Sequence, residues 1–401
     1  MKPTLFGYGL TTKAIAKKIG GGCIFFDDNT KETYTDENNN IIKPSHLFCP
    51  DESFLEVTTP SLPPKHPLVQ SAKHLLSEYD YFDKEMPFSI WISGTNGKTT
   101  TTQMLTHILE KRGAVSGGNI GTPLADLDKK APIWVLESSS FTLHHTHTAS
   151  PDIYLLLPIT PDHLDWHGTP EQYEADKLKP LLAMKEGELA LIPKGLNLPK
   201  TNAYVVEYDT NACIAEYFKL DSSRLRFREA FLQDALLALA VSKVLFDEAD
   251  YALMNTFTLD EHRQEEVFDA QNRLWVNDSK ATNLNATVQA VKGYADKHIH
   301  LILGGDDKGV DLAPLFKEMK SLKLTLYTIG KNNNKLLALA KTYHVAYVES
   351  KTIDIAIQEI DKVHTAQSIA LLSPAAASFD QFKSYKHRGE TFKELIKDLQ
   401  K

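Results

Sequence analysis

The chain has 401 residues, 42% apolar and 24% charged, with a formal net charge of −8. This length predicts two or three domains, and the acidic balance argues against a nucleic-acid binder that relies on a basic surface. Cys23, Cys49 and Cys213 lie far apart without metal-type spacing, no signal-like apolar region opens the chain, and no apolar run approaches the ~20 residues that span a bilayer, so a cytoplasmic protein without disulfides or membrane insertion is expected.

Short apolar runs alternate with amphipathic stretches nearly throughout, which predicts α/β layers with mainly parallel sheets and no internal repeat. Thr4-Leu-Phe-Gly-Tyr-Gly9 reads as a strand entering a glycine turn. A helical stretch follows, and Gly22-Cys-Ile-Phe-Phe26 then ends at Asp27 and Asp28. Strand, helix and acid-tipped strand resemble half of a nucleotide-binding fold, but Gly7 and Gly9 serve equally well as plain turn glycines. The Pro-rich stretch Thr59 to Pro67 breaks the pattern, and the acidic, aromatic segment Glu78 to Glu85 leads to a first boundary near residue 85.

Next comes the apolar run Phe88-Ser-Ile-Trp-Ile92, then Ser93-Gly-Thr-Asn-Gly-Lys-Thr-Thr, then the helical stretch Gln103 to Leu109. Strand, glycine turn and helix form the context of a phosphate-binding loop. Gly94 and Gly97 allow the tight turn, the helix N-terminus favours an anion, Lys98 reaches the outer phosphates, and the Thr99 hydroxyl suits Mg²⁺. Ile92 stands where the general motif has its first glycine, so this is the shorter form of the loop. The alternative is a glycine turn with a solvated lysine. Strand candidates follow at Ile133 to Leu136, Ile153 to Leu157 and Leu189 to Ile192, with a long apolar helix from Ala230 to Leu245 and a second boundary near Leu259.

Glu137 closes a strand beside this loop, where a carboxylate serves either as a Mg²⁺ ligand or as a strand cap. Asp162, His163, Asp165 and His167 cluster after the next strand and favour a metal and substrate site over zinc, since no cysteine joins them. Lys177, in the helix start Pro170 to Lys179, reads as a solvated helix residue. The last part alternates again, with strand candidates at Leu274 to Val276, Ile299 to Leu303, Leu324 to Ile329 and Ile369 to Leu372, and a final amphipathic helix from about Phe379 to Leu399.

Together these motifs resemble the Mur ligase family, the ATP-dependent amide ligases that build the peptidoglycan stem peptide, over nearly the whole chain. The resemblance is carried by Gly94-Thr-Asn-Gly-Lys-Thr99, Glu137-Ser-Ser-Ser140, Asp162-His-Leu-Asp-Trp-His-Gly168, Asn277-Asp-Ser-Lys-Ala-Thr-Asn283 and Leu303-Gly-Gly-Asp306. The run Ser373 to Lys383, continuing through His387-Arg-Gly-Glu-Thr-Phe392, is more specific and resembles the D-glutamate-adding branch. The family implies three α/β domains. These are a Rossmann-like domain at 1–85 for the UDP end of the substrate, a central P-loop ATPase domain with a mainly parallel sheet at 86–259, and a Rossmann-like domain at 260–401 that brings the amino acid. It implies ATP and two Mg²⁺ ions, the substrates UDP-N-acetylmuramoyl-L-alanine and D-glutamate, and a monomer.

Carried over by position, the family assigns ATP to Gly94, Thr95, Asn96, Gly97, Lys98, Thr99 and Thr100, with Arg263 and Asp278 reaching the nucleotide. Thr99, Glu137 and His163 would be Mg²⁺ ligands, together with Lys177, which the family carries as a carbamate. Leu10, Thr11, Asp27 and Asn119 would hold the UDP substrate. Lys280, Thr282, Lys308, Ser378, Phe379 and Tyr385 would surround D-glutamate. The catalytic residues would be Lys98, His163 and Lys177. Two departures stand out: Ala230, Phe231 and Asp234 replace the family's adenine-facing residues, and Ala376 replaces a frequent cysteine. The implied reaction activates the L-alanyl carboxylate as an acyl phosphate, which the amine of D-glutamate attacks, with His163 or a nearby carboxylate as the base. Two rivals differ in sequence terms. A diamino-acid-adding relative would carry Asp-Asn-Pro-Arg, absent here, and a non-catalytic nucleotide-gated protein would not need Lys98, Glu137, His163 and Lys177 intact.

Overall fold

Parallel strands buried on both faces must be apolar along their length, and three six-stranded sheets are built on such runs. The computed structural model describes residues 2–399. The first sheet comprises β1 (Thr4–Phe6), β2 (Ile24–Asp27), β3 (Tyr34–Thr35), β4 (Ile41–Pro44), β5 (Glu56–Thr58) and β6 (Leu75–Leu76), in the order β3-β4-β2-β1-β5-β6. Only the β3–β4 pair is antiparallel. The second comprises β7 (Phe88–Ser93), β8 (Ala114–Gly118), β9 (Ile133–Glu137), β10 (Ile153–Leu156), β11 (Leu189–Pro193) and β12 (Tyr204–Tyr208), in the order β12-β11-β10-β7-β9-β8, with every pair parallel. The third comprises β13 (Glu265–Phe268), β14 (Leu274–Asn277), β15 (His298–Gly304), β16 (Leu324–Ile329), β17 (Ala346–Lys351) and β18 (Ser368–Leu372), in the order β13-β14-β18-β15-β16-β17, antiparallel only at β13–β14. The α/β class with three mainly parallel sheets agrees with the sequence.

The chain packs as two compact units. One is Met1–Phe227 with Phe231–Phe257 and holds the first two sheets; the other is Arg228–Ala230 with Thr258–Lys401 and holds the third. In the first unit a large apolar core runs from Leu5 and Phe25 through Tyr79, Phe82 and Trp91 to Ala190 and Ile192, and a smaller one gathers Phe6, Phe26 and Leu68. Tyr79 meets Trp91 edge-on with ring centroids 4.5 Å apart. The second unit has one core on each face of its sheet, around Leu301 and Phe316 on one side and Trp275 and Phe392 on the other.

The Pro-rich stretch does not end the first sheet. It lies between β5 and β6 and ends at Pro67, the first residue of the short helix Pro67–Ser71, where its missing N–H costs nothing. The final helix is shorter than its apolar pattern suggests, Tyr385–Asp398, because Ser384 caps it by accepting from the His387 N–H and leaves 373–384 as a loop.

Candidate active site

β7 runs directly into the phosphate loop and the helix Lys98–Leu109. Gly94 and Gly97 hold φ of +137° and +83°, and each is also closely packed. A Cβ on Gly94 would lie 2.5 Å from Leu157 Cβ, and one on Gly97 2.8 Å from Asp234 Oδ1. Lys98 folds over its own loop, donating to the carbonyls of Gly94 (3.1 Å) and Thr95 (2.9 Å). The Thr95 hydroxyl donates to the Thr160 carbonyl at 2.9 Å and meets the Tyr173 hydroxyl at 3.0 Å, which ties the loop to the end of β10. Asn96 lies in the loop, and Thr99 and Thr100 open the helix.

Glu137, the last residue of β9, is 2% exposed. Its Oε1 accepts from Asn119 Nδ2 at 2.7 Å, while Oε2 is buried with no hydrogen-bond partner among the described residues. A buried carboxylate oxygen without a donor is costly, and a hard cation is a ligand that would remove that cost. Asn119, assigned from the family to the substrate, is here the residue that orients Glu137. His163 sits at φ +51° as the N-cap of the short helix Leu164–His167, with its ring edge-on to Phe141 at 4.9 Å and Nε2 3.6 Å from Asp162 Oδ2. Desolvation holds its imidazole below the usual range, against the opposing field of Asp162.

Lys177 overturns the solvated-helix reading. It is 1% exposed, and Nζ donates to the Gly94 carbonyl at 2.8 Å and the Ser93 hydroxyl at 3.3 Å. Burial first, and Lys98 second, push its pKa well down, while Asp162, Asp176 and Glu137 pull the other way. The phosphate loop, the β9 carboxylate and the 160–168 segment therefore act on one buried amine.

Sequence reasoning did not find the polar chain that supports this helix. Asp176 accepts from His144 Nδ1 (2.8 Å), His167 Nδ1 (2.7 Å) and Gln172 Nε2 (2.9 Å), and His167 Nε2 meets the Ser140 hydroxyl at 2.9 Å. Although burial alone raises it, these bonds hold the Asp176 carboxyl down at about 2. The available signal was the density of histidines in 144–167.

In the second unit, the loops after β14, β15 and β18 carry Lys280 and Thr282, Lys308, and Ser378 and Phe379 respectively, all at carboxyl ends of strands. Lys280 Nζ lies 5.8 Å from the Tyr385 ring centroid. Ser378 is buried, Thr282 and Lys308 are exposed, and Phe379 is 74% exposed, an uncommon state for a large apolar side chain. Asp278 is turned inward: its Oδ2 accepts from Ser373 Oγ at 2.8 Å, its Oδ1 accepts from the Gln264 N–H at 3.3 Å, and burial raises its pKa to about 7. Arg263 Nε sits 4.0 Å from Asp260 Oδ2, between two non-glycine residues in the left-handed region, His262 and Gln264.

In the first sheet, Asp27 accepts from the Tyr8 N–H at 2.8 Å through Oδ2 and from the Asn29 N–H at 2.9 Å through Oδ1, fixing the glycine turn beside it. A cleft of about 310 Å³ opens there, lined by Gly7, Tyr8, Gly9, Asp27, Asp28 and Thr59 among others. Leu10, 64% exposed, and Thr11 start the adjoining helix Leu10–Lys18.

The model of the Mur ligase middle domain matches residues 92–226. Over 402 residues, covering all of both chains, the sequence is 48% identical to the UDP-N-acetylmuramoylalanine–D-glutamate ligase of Campylobacter jejuni subsp. jejuni serotype O:23/36 (strain 81-176). The chain belongs to the Mur ligase family. This Mur ligase is also 46% identical over 419 residues, 99% of each chain, to the enzyme of the same name from Helicobacter pylori (strain J99). Among solved structures, the Mur ligase shares its fold with the MurF ligase of Thermotoga maritima in complex with ADP, at a TM-score of 0.59, 14% identity and 99% of each chain.

Proposed function

We propose that this Mur ligase uses ATP to join D-glutamate to UDP-N-acetylmuramoyl-L-alanine through an acyl phosphate, acting as a monomer on cytoplasmic precursors. The arrangement that carries this reading is the phosphate loop with a buried lysine against it and a partnerless carboxylate oxygen nearby. A loop that binds phosphate needs only glycines, a lysine and a hydroxyl. A desolvated carboxylate beside the loop, able to hold Mg²⁺, is what a phosphoryl-transfer centre adds.

Residues 1–85 supply the UDP site in this reading, with Asp27 at the cleft and Leu10 and Thr11 on the adjoining helix; 86–259 supply the ATP site, and 260–401 the amino-acid site. The N–H groups after Gly94 and Gly97, the helix N-terminus and Lys98 neutralise the charge of the transferring phosphoryl group. Thr99, Glu137, His163 and Lys177 as a carbamate would hold Mg²⁺, two ions in all, and the unpartnered Glu137 Oε2 fits that role. Bound Mg²⁺ supplies Lewis-acid stabilisation of phosphate oxygens. A carbamate forms only from a neutral amine, and burial, with Lys98 second, shifts Lys177 toward that form. Lys280, Lys308 and Ser378 would bind the carboxylates of D-glutamate, with Thr282, Phe379 and Tyr385 shaping the pocket. His163 or a neighbouring carboxylate would take the proton from the attacking amine.

A phosphate-release assay with a panel of amino acids tests the reading. Release should require UDP-N-acetylmuramoyl-L-alanine, D-glutamate and Mg²⁺ together. Equal turnover with L-glutamate or a diamino acid would overturn the substrate assignment.

A further inference from the structure

Arg388 is one of the largest fully buried side chains, 1% exposed, on the first turn of the helix Tyr385–Asp398. Its acceptors are neutral. Nε donates to Ser279 Oγ at 3.0 Å, and Nη2 to the Ser279 carbonyl at 2.9 Å. Nη1 and Nη2 donate to the Ala376 carbonyl at 3.2 and 3.1 Å. Burial lowers its pKa to about 10, against the opposing fields of Asp380 and Asp278. A guanidinium buried on a hydroxyl and two carbonyls is an expensive way to fill space, and an apolar side chain of similar volume commonly packs at lower cost.

What the fork does is visible from where its acceptors sit. Ser279 directly precedes Lys280, and Ala376 stands two residues before Ser378. These residues belong to different loops, after β14 and after β18. The Ser279 hydroxyl donates on to the Tyr385 carbonyl at 2.8 Å, which adds the start of the helix to the same knot. The third loop joins through a two-way bridge, Asp306 N–H to the Ala377 carbonyl at 2.9 Å and Ala377 N–H to the Asp306 carbonyl at 3.0 Å, two residues from Lys308. A Cβ on Gly305 would lie 3.4 Å from Arg388 Nη1, so that loop also packs against the guanidinium.

We propose that Arg388 is a positioning residue for the amino-acid pocket: its planar fork sets the spacing between the Ser279–Lys280 and Ala376–Ser378 loops without touching the substrate. The proposal rests on the reading of that pocket as the D-glutamate site. A fork with donors fixed in one plane can span two acceptors rigidly, and an ammonium on a flexible stem cannot. Arg388→Lys therefore separates geometry from charge, because it keeps the cation and loses the span.

The experiment measures kcat, the KM for D-glutamate, the KM for ATP and the melting temperature of full-length Arg388→Lys, Ser279→Ala and the double variant, beside Ser378→Ala. Arg388→Lys should raise the D-glutamate KM by about ten-fold or more while the ATP KM stays within about two-fold. Ser279→Ala should give a smaller rise in the same direction, and the double variant less than the product of the two, as coupled sites do. Should Arg388→Lys fail to fold, Ser279→Ala decides by the same KM comparison. An unchanged D-glutamate KM, or D-glutamate and ATP KM values rising together, overturns the proposal. If Ser378→Ala raises the D-glutamate KM and Arg388→Lys does not, only the role of Arg388 falls. If Ser378→Ala leaves it unchanged, the pocket reading falls and this proposal with it.

Discussion

Lys177 Nζ donates to the carbonyl of Gly94 across 2.8 Å, so the amine of one helix rests on the phosphate loop of another. An ammonium buried beside Lys98 would be repelled by its neighbour and stripped of water, and both effects favour the neutral amine.

Lys177→Ala should therefore be nearly inactive, and a small carboxylic acid in the assay should partly restore turnover by replacing a missing anion. NMR of the wild-type protein in ¹³C-labelled bicarbonate should show a carbamate signal that Lys177→Ala lacks. Restoration by a small amine instead, or full activity without the signal, would mean that the residue acts as a cation.

Lys98→Ala should lower kcat by about 10²–10³, the usual effect of removing one preorganised charge contact from a closed site. It donates to two carbonyls of its own loop, and losing these local bonds should move the melting temperature far less than kcat. Turnover close to wild type would remove Lys98 from the mechanism.

Lys308→Ala and Ser378→Ala should each raise the KM for D-glutamate far more than that for ATP. Lys308 is exposed at φ +50° just past β15, and Ser378 is buried in the neighbouring loop. If Ser378→Ala keeps the wild-type D-glutamate KM, the pocket lies elsewhere; if only Lys308→Ala does, Lys308 alone is not part of it.

Acid should act on the second unit through His300 and His364, whose rings lie 5.8 Å apart. Burial first, and nearby positive charge second, lower both from 6.5 to about 4. The unfolded chain thus binds more protons between about pH 4 and 6.5, and stability falls as pH drops through that window. Asp278, raised to about 7, works in the opposite direction between about pH 4 and 7. The informative measurement is therefore a difference: urea unfolding of His300→Gln against wild type from pH 4 to 7. The variant should lose a pH slope of up to roughly 1.4 kcal/mol per pH unit. Parallel curves would show that His300 does not titrate in this way.

The strands built on continuous apolar runs and the phosphate loop were legible because their physics is local. Ile90 to Ile92 and Ile299 to Leu303 are continuous apolar runs, and the Gly94–Thr99 turn follows one of them directly. β8 was missed because Ala-Val-Ser-Gly-Gly ends in glycines, and β17 because Ala-Tyr-Val-Glu-Ser-Lys is a largely exposed edge strand without an apolar face. The burial of Lys177 was not legible either. Glu-Ala-Asp-Lys reads as a wet helix face until Tyr154 donates to the Lys177 carbonyl and Asp176 collects two histidines distant in sequence. Arg388 was invisible for the same reason, since its acceptors lie 109 and 12 residues away.

The Tyr79–Trp91 contact determines where this chain can be recombined with its relatives. Tyr79 packs on Trp91 of β7 and places its hydroxyl 3.3 Å from the Glu137 carbonyl, so the helix that leaves the first sheet is already part of the second sheet's interior. A chimaera joined after residue 85 would bring a foreign helix against Trp91, and the mismatch would reach the backbone behind Glu137. An edge-on aromatic pair contributes about 0.5–1.5 kcal/mol beyond its buried area, and leaving such a site empty typically costs about 3–5 kcal/mol. A crossover placed before Ser77 keeps Tyr79, Phe82 and Trp91 from one parent and should yield folded hybrids where the later junction yields few.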